Sequence, residues 1–192
     1  KELTQALLLN ADNSETYYYL GKSYIGINKK KQALESFVMS LKLNPYNGEA
    51  HFELGKIYQS VFKINLSLEE FRLADKYIDH HELNYIYGNL LYDQQLYREA
   101  LLPLREFIIY EPDNNEVLEK LGEIFLKESR FPEAIDTYNR LIEQFPDHEL
   151  YYLNIASAYF ALDNYSIAKS YYQKVLTFNE ENEEVLLRLG SI

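Results

Sequence analysis

The residue types that most often carry catalysis or bind metals are sparse in this sequence. Its four histidines are His51, His80, His81 and His148, and none pairs at i, i+4 with a carboxylate in the pattern of a zinc site. His80 and His81 adjoin Asp79 between two helical segments, where surface loop histidines are favoured over a metal site. There is no glycine-rich phosphate loop, and no nucleophile beside a base can be identified. We therefore predict no catalytic residue, no metal ligand and no cofactor.

The charge and composition exclude several classes of partner. The formal net charge is −11, which opposes binding to nucleic acid or to an anionic membrane because both need a basic surface. There is no cysteine, so neither disulfides nor cysteine metal sites can form. No apolar run approaches the roughly 20 residues that span a bilayer, so we expect no direct membrane insertion of this chain. The sequence starts at Lys1 inside a helical pattern, which leaves its location and any preceding signal or anchor open.

Any functional group must be positioned by helices, because apolar residues recur with a helical period. In residues 14–47 the first stripe falls at i, i+3, i+4 and i+7, on Tyr17, Leu20, Gly21 and Tyr24. After a short break, a second stripe comprises Ala33, Phe37, Ser40 and Leu41, and Pro45 ends it. The pattern predicts two antiparallel helices.

This aromatic–Leu–Gly–Tyr–Ala–Phe–Pro pattern in 34 residues resembles a tetratricopeptide repeat. It recurs along the chain, with full repeats predicted at 14–47, 48–80, 81–114, 115–148 and 149–182. Residues 1–13 match the second helix of a truncated repeat and residues 183–192 the start of another, so we expect a longer array. The resemblance implies an all-α fold, a right-handed superhelical α-solenoid of antiparallel helix pairs. A helical bundle without a repeat is the alternative, and the regular period disfavours it.

The recurring residues have physical roles in such a repeat. Small residues are expected where the two helices of a repeat approach most closely, at Gly21, Gly55, Gly88, Gly122 and Ala156. Aromatic rings are expected to fill the space between repeats, at Tyr17, Phe37, Tyr138, Tyr152 and Tyr172. Prolines are expected to end second helices, at Pro45, Pro112 and Pro146. Acidic residues are expected in the first turn of first helices, where the helix dipole stabilises a negative charge, at Glu15, Glu49, Glu82 and Glu116.

Pro103 breaks the local pattern because it falls inside a predicted second helix. A proline there removes a backbone donor and clashes with the carbonyl of Glu99, at about 3 kcal/mol. One hypothesis is a kink or flexible joint that divides the array into two stiffer halves. The other is a kink that packing absorbs without any functional role.

The family resemblance implies that the first helices line a concave binding surface. The candidate partner-binding residues on it are Tyr18, Tyr19, Lys22, Phe52, Lys56, Tyr85, Asn89 and Tyr92. Aromatic side chains give a large contact area and are enriched at binding hot spots, and the lysines suit an acidic group of the partner. The competing interpretation is incidental placement, because 19 of the 192 residues are tyrosine.

A specialised use of this surface in the family is the carboxylate clamp for the acidic C-terminal tails of chaperones. The clamp needs lysine, asparagine and arginine at set places on three first helices. The matching places in the first three repeats hold Tyr18 and Lys22, then Glu53, then Glu82 and Ile86. Only Lys22 fits, so we predict that the clamp is absent.

The sequence thus predicts a non-catalytic protein–protein interaction scaffold that binds peptide segments or partner proteins. The alternative is a targeting, substrate-recruiting or regulatory arm of a larger enzyme, or an envelope assembly factor. The partner's identity is not contained in these residues.

Overall fold

The computed structural model describes residues 13–192 of the chain, and in this range it contains eleven α-helices and no strand. The chain divides into two compact units at Gln94 and Gln95, here called unit 1 and unit 2. The helices of unit 1 are α1 (Ser14–Gly26), α2 (Lys30–Leu43), α3 (Gly48–Ser60), α4 (Ile64–Tyr77) and α5 (His81–Asp93). Those of unit 2 are α6 (Tyr97–Tyr110), α7 (Asn115–Lys127), α8 (Phe131–Gln144), α9 (Glu149–Ala161), α10 (Tyr165–Leu176) and α11 (Glu183–Gly190).

The repeat boundaries proposed from the sequence stay predictions. The truncated repeat predicted for residues 1–13 lies outside the described residues, except for Asn13, whose side chain caps the start of α1.

Asparagine side chains cap the N-termini of four of the first helices. The Oδ1 atoms of Asn47, Asn114 and Asn182 each accept a hydrogen bond from the backbone N–H three residues later, at 3.1 to 3.2 Å. Asn13 accepts from Glu15 at 2.9 Å. Each cap satisfies a backbone donor that the helix itself leaves unpaired. These caps were not predicted from the sequence, although the asparagines recur in step with the repeat.

Three of the predicted small residues lie at close contacts between the helices of a pair. A Cβ atom added to Gly21 would stand 2.5 Å from Phe37, and one added to Gly55 would stand 2.4 Å from Phe71. The same addition at Gly122 would meet Tyr138 at 2.7 Å. A side chain at these places cannot be accommodated without displacing a buried ring, so the prediction of close helix contact is confirmed at all three glycines.

Each unit has its own core of small and large apolar side chains. In unit 1, the buried cluster consists of Ala33, Phe37, Ala50, Leu54 and Ile57. In unit 2, a cluster near the end of the chain consists of Ala156, Ala168, Tyr172, Val175 and Val185. Phe37 therefore both covers Gly21 of its own helix pair and contacts residues of α3, which unites the two packing roles that were predicted separately.

The prolines at the ends of second helices act as predicted. Helices α2, α6 and α8 end at Leu43, Tyr110 and Gln144, two residues before a proline in each case. Pro103, in contrast, lies buried inside α6, which is assigned as one continuous helix from Tyr97 to Tyr110. Whether the proline has a functional role stays a hypothesis.

Candidate functional site

The partner-binding residues predicted from the sequence lie on the three first helices of unit 1, and we call this set of residues the first-helix face. It comprises Tyr18, Tyr19 and Lys22 on α1, Phe52 and Lys56 on α3, and Tyr85, Asn89 and Tyr92 on α5. Two ion pairs join these helices. Lys22 Nζ lies 2.7 Å from Glu53 Oε1, which links α1 to α3, and Lys56 Nζ lies 3.7 Å from Glu82 Oε1, which links α3 to α5. The predicted residues of the three helices therefore do lie on neighbouring elements.

Tyr18 and Tyr19 form the aromatic edge of the first-helix face. Their rings meet edge to face with centroids 5.2 Å apart, and Tyr18 also rests on Phe37, at 5.9 Å. Burial raises the pKa of the Tyr18 hydroxyl; Lys22 opposes this, while Glu49 and Glu53 add to it, so the group is neutral at physiological pH. Tyr19 is 56% exposed. Its ring is thus held by a fixed neighbour while most of its area faces solvent.

The two lysines of the face are already neutralised. Glu53 is buried, with 6% of its side chain exposed, and it accepts from Lys22 at 2.7 Å and pairs with Lys56 at 3.1 Å. The hydrogen bond to Glu53 raises the pKa of Lys22, against the opposing effect of burial. A buried carboxylate needs such partners, because an unpaired one would carry a large desolvation penalty. The expectation that these lysines are suited to an acidic group of the partner therefore has to be corrected, because both already pair with Glu53.

The prediction that Phe52 binds a partner also has to be corrected. Its ring is 2% exposed and lies between Phe71 and His80, with centroid distances of 5.9 and 5.6 Å. The Lys56 ammonium covers the same ring at 4.3 Å from its centroid. The ring therefore supports the first-helix face from below and offers no area to a partner. On α5, Tyr85, Asn89 and Tyr92 are half-buried.

The first helices of unit 2 differ in character. On α7, Lys120 pairs with Glu116 at 2.6 Å and Lys127 with Glu123 at 3.4 Å, so both lysines of this surface are paired within their own helix. The Tyr151 hydroxyl of α9 donates a hydrogen bond to Glu119. Burial, followed by this hydrogen bond, raises the pKa of that hydroxyl well above its usual range.

The described residues add two observations about chemistry. Residues 13–192 contain no group of three or more His, Cys, Asp or Glu side chains arranged to hold a metal ion. None of the helices in the same range combines the length and apolar composition needed to cross a membrane.

Comparison with known proteins identifies the repeat. Family models described as tetratricopeptide repeat match residues 87–149 and 150–182, which together make half of the chain. The chain belongs to the tetratricopeptide repeat family. Proteins of this family are generally non-catalytic, and at this level the chain is a protein–protein interaction scaffold. No curated protein matches the sequence.

Solved structures show the same fold. YrrB, described as "a TPR protein with an unusual peptide-binding site", is 19% identical, with 97% of this chain and 96% of that chain aligned and a TM-score of 0.70. The MamA protein is 22% identical, with coverages of 89% and 94% and a TM-score of 0.57. MamA from Desulfovibrio magneticus RS-1 is 15% identical, with coverages of 88% and 96% and a TM-score of 0.55. The predicted all-α solenoid class is confirmed.

Proposed function

We propose that this chain is a non-catalytic scaffold that binds a segment of a partner protein on the first-helix face of unit 1. The observation that carries the proposal is the Tyr18–Tyr19 pair, in which an anchored ring holds a neighbour that is 56% exposed. Tyrosine offers a large, amphipathic contact area and loses little conformational entropy on binding, which is why it is enriched at hot spots. The peptide-binding site of YrrB, a protein of the same fold, supports a peptide segment as the ligand.

The charges of the face indicate the chemistry of that segment. Lys22 and Lys56 are compensated by Glu53 and Glu82, so these four groups together carry no net charge. The ammonium groups keep donors free for carbonyl oxygens, since the Lys22 and Lys56 side chains remain 46% and 31% exposed. We infer that the segment presents apolar side chains to the tyrosines and backbone carbonyls to the lysines. An acidic group is not required.

A photo-crosslinking experiment tests this site directly. A benzophenone amino acid replaces Tyr19 in one variant, and in the control it replaces Tyr46, which is 69% exposed in the turn between α2 and α3. Both proteins are irradiated in lysate of the native source, and adducts are identified by mass spectrometry. We expect a discrete adduct from position 19 and none of that mass from position 46.

A second measurement uses the adduct partner once it is identified. Tyr19→Ser should weaken its binding at least tenfold, whereas Tyr46→Ser should leave it within about twofold, and both should retain helicity because both side chains are exposed. Equal adducts at both positions, or equal affinities, would show that the first-helix face is not the binding site.

A further inference from the structure

A cleft lies between the two second helices α6 and α8 of unit 2. It has a volume of about 470 Å³, a size typical of sites that take a ligand group. Its floor is apolar and is formed by Leu118, Leu121 and Phe125 of α7. Three guanidinium groups line its rim, from Arg105 on α6, Arg130 before α8 and Arg140 on α8. We call it the arginine cleft.

The three arginines differ in how far they are engaged. Arg130 pairs with Glu133, with Nη2 2.6 Å and Nε 3.0 Å from the same carboxylate oxygen. The Arg105 guanidinium makes no hydrogen bond to another residue within the described part of the chain, although its charge adds to the effect of Arg130 in lowering the pKa of Glu133. Asp136 also lines the rim, so three guanidinium groups face two carboxylates there. The rim therefore has a positive balance, and Arg105 retains its full donor capacity.

At the equivalent place in unit 1, between α2 and α4, a polar pair takes the corresponding helix positions. His51 and Glu70 occupy the helix positions of Leu118 and Thr137, the fourth residue of a first helix and the seventh of a second. His51 is 7% exposed; its Nδ1 lies 2.6 Å from Glu70 Oε2 and its Nε2 lies 3.0 Å from the Pro45 carbonyl oxygen. Burial lowers the pKa of His51, but the hydrogen bonds to Glu70 and to the carbonyl outweigh it and raise the pKa above its usual 6.5.

The residues that line the cleft are therefore not common to the two units. In unit 2 the carbonyl of Pro112, the counterpart of Pro45, accepts its hydrogen bond from Arg140 instead. Leu118 has no donor for the Pro112 carbonyl oxygen, so Arg140 on the rim donates that hydrogen bond. The interior of the cleft is left apolar and unfilled. Unit 2 thus has an apolar floor at Leu118, where unit 1 has the hydrogen-bonded pair of His51 and Glu70.

The charge of the surroundings makes this rim distinctive. Unit 2 contains eighteen Asp and Glu residues against nine Lys and Arg residues, yet three of its five arginines border this one cleft. Guanidinium groups bind carboxylates by two parallel hydrogen bonds, and such charge-assisted bonds are stronger than neutral ones. Charge complementarity thus favours an acidic ligand at a place where the rest of the unit repels one.

We propose that the arginine cleft binds an acidic peptide segment of a partner protein. An apolar side chain of the segment lies on Leu118, Leu121 and Phe125, and a neighbouring carboxylate binds the Arg105 guanidinium. This site lies within unit 2 and does not depend on the first-helix face of unit 1, so either proposal can fail without the other.

The test is an NMR titration of the full chain with a defined probe. The probe is an acetylated, amidated heptapeptide of alternating glutamate and leucine, and the matched control peptide has glutamine in place of glutamate. Methyl resonances of Leu118 and Leu121 report the floor, and those of Leu20 and Leu54 report unit 1. We expect saturable shifts of the floor methyls with the acidic peptide only, at up to about millimolar concentration.

Three protein variants locate the contact. Arg105→Gln should weaken the acidic peptide about tenfold by removing a charge-assisted bond, whereas Arg98→Gln should change its affinity less than twofold. Arg98 lies on the same helix, and its 80% exposed side chain pairs with Glu128 outside the cleft. The double variant Leu118→His/Thr137→Glu places the polar pair of unit 1 in the apolar floor and should abolish binding while the fold is retained.

Four results of these titrations would count against binding in the arginine cleft. No shift of the floor methyls by the acidic peptide refutes the proposal, as does equal binding of the glutamine peptide. Undiminished binding by the double variant, with its fold confirmed by amide resonances, also refutes it. Shifts confined to Leu20 and Leu54 would assign the peptide to unit 1 and count against the cleft, while the proposal for the first-helix face would remain.

Discussion

Substitution of Gly55 by alanine tests how tightly the helix pairs are packed. The added Cβ would stand 2.4 Å from two ring carbons of Phe71, well inside van der Waals contact. That ring is 0% exposed and cannot move freely, because Phe52 and Tyr87 flank it with centroids 5.9 and 6.1 Å away. Overpacking of this kind costs up to about 3 kcal/mol, and the better helix propensity of alanine returns about 1. We expect the free energy of unfolding to fall by about 2 kcal/mol.

Urea unfolding followed by circular dichroism at the helical band measures the change. The control is Gly26→Ala, where the added Cβ has no neighbour within 4 Å, so the substitution should be neutral or slightly stabilising. Phe71→Leu supplies the rescue, because a smaller side chain removes the clash and Gly55→Ala should then cost less than about 1 kcal/mol in that background. If Gly55→Ala is as well tolerated as Gly26→Ala, close contact is not what requires glycine there.

Three further changes test separate features. Asn47→Ala removes the side-chain cap of α3 and should lower the free energy of unfolding by about 1 kcal/mol in the same urea assay; an unchanged value would mean that solvent caps the helix equally well. The raised pKa of His51 means that its pairing with Glu70 stabilises the fold below about pH 6.5, and that this contribution is lost as pH rises through the folded-state pKa. The urea midpoint should therefore fall as the pH rises above about 6.5, and less so in His51→Leu/Glu70→Thr, which carries the unit 2 residues; equal pH dependence would contradict the assignment. Pro103→Ala restores a backbone donor inside α6 and should slow amide exchange in that helix and alter the small-angle scattering profile; if neither changes, the flexible-joint hypothesis is wrong.

Much of the fold was predictable because it depends on local features that recur. The spacing of Gly21, Gly55 and Gly122 reflects a close helix contact, and prolines end α2, α6 and α8 because their rings cannot follow another helical turn. The asparagine caps at the start of first helices could also have been predicted from the sequence, since a cap acts within three residues of its own position.

The predicted binding surface stays a prediction, and the structure corrects it at Phe52 for a physical reason. The repeat pattern fixes which helix a residue belongs to, but burial depends on side chains from other helices. Phe52 occupies the same helix position as Tyr18, yet it is buried because Phe71 and His80 enclose its ring. Glu53 had the wrong sign for a carboxylate clamp, and the structure gives it another role as the buried anion that binds Lys22 and Lys56.

The sequence by itself determined the helix pairs, their period and their family, because these follow from apolar periodicity, small residues and helix ends that act over short distances. Only the tertiary structure decided which surfaces are available and what they can bind. The arginine cleft shows why: Arg105, Leu118 and Arg140 come from three different helices, and no spacing along the chain links them. The same holds for His51 and Glu70, which lie on two different helices and form a hydrogen bond at the corresponding place in unit 1.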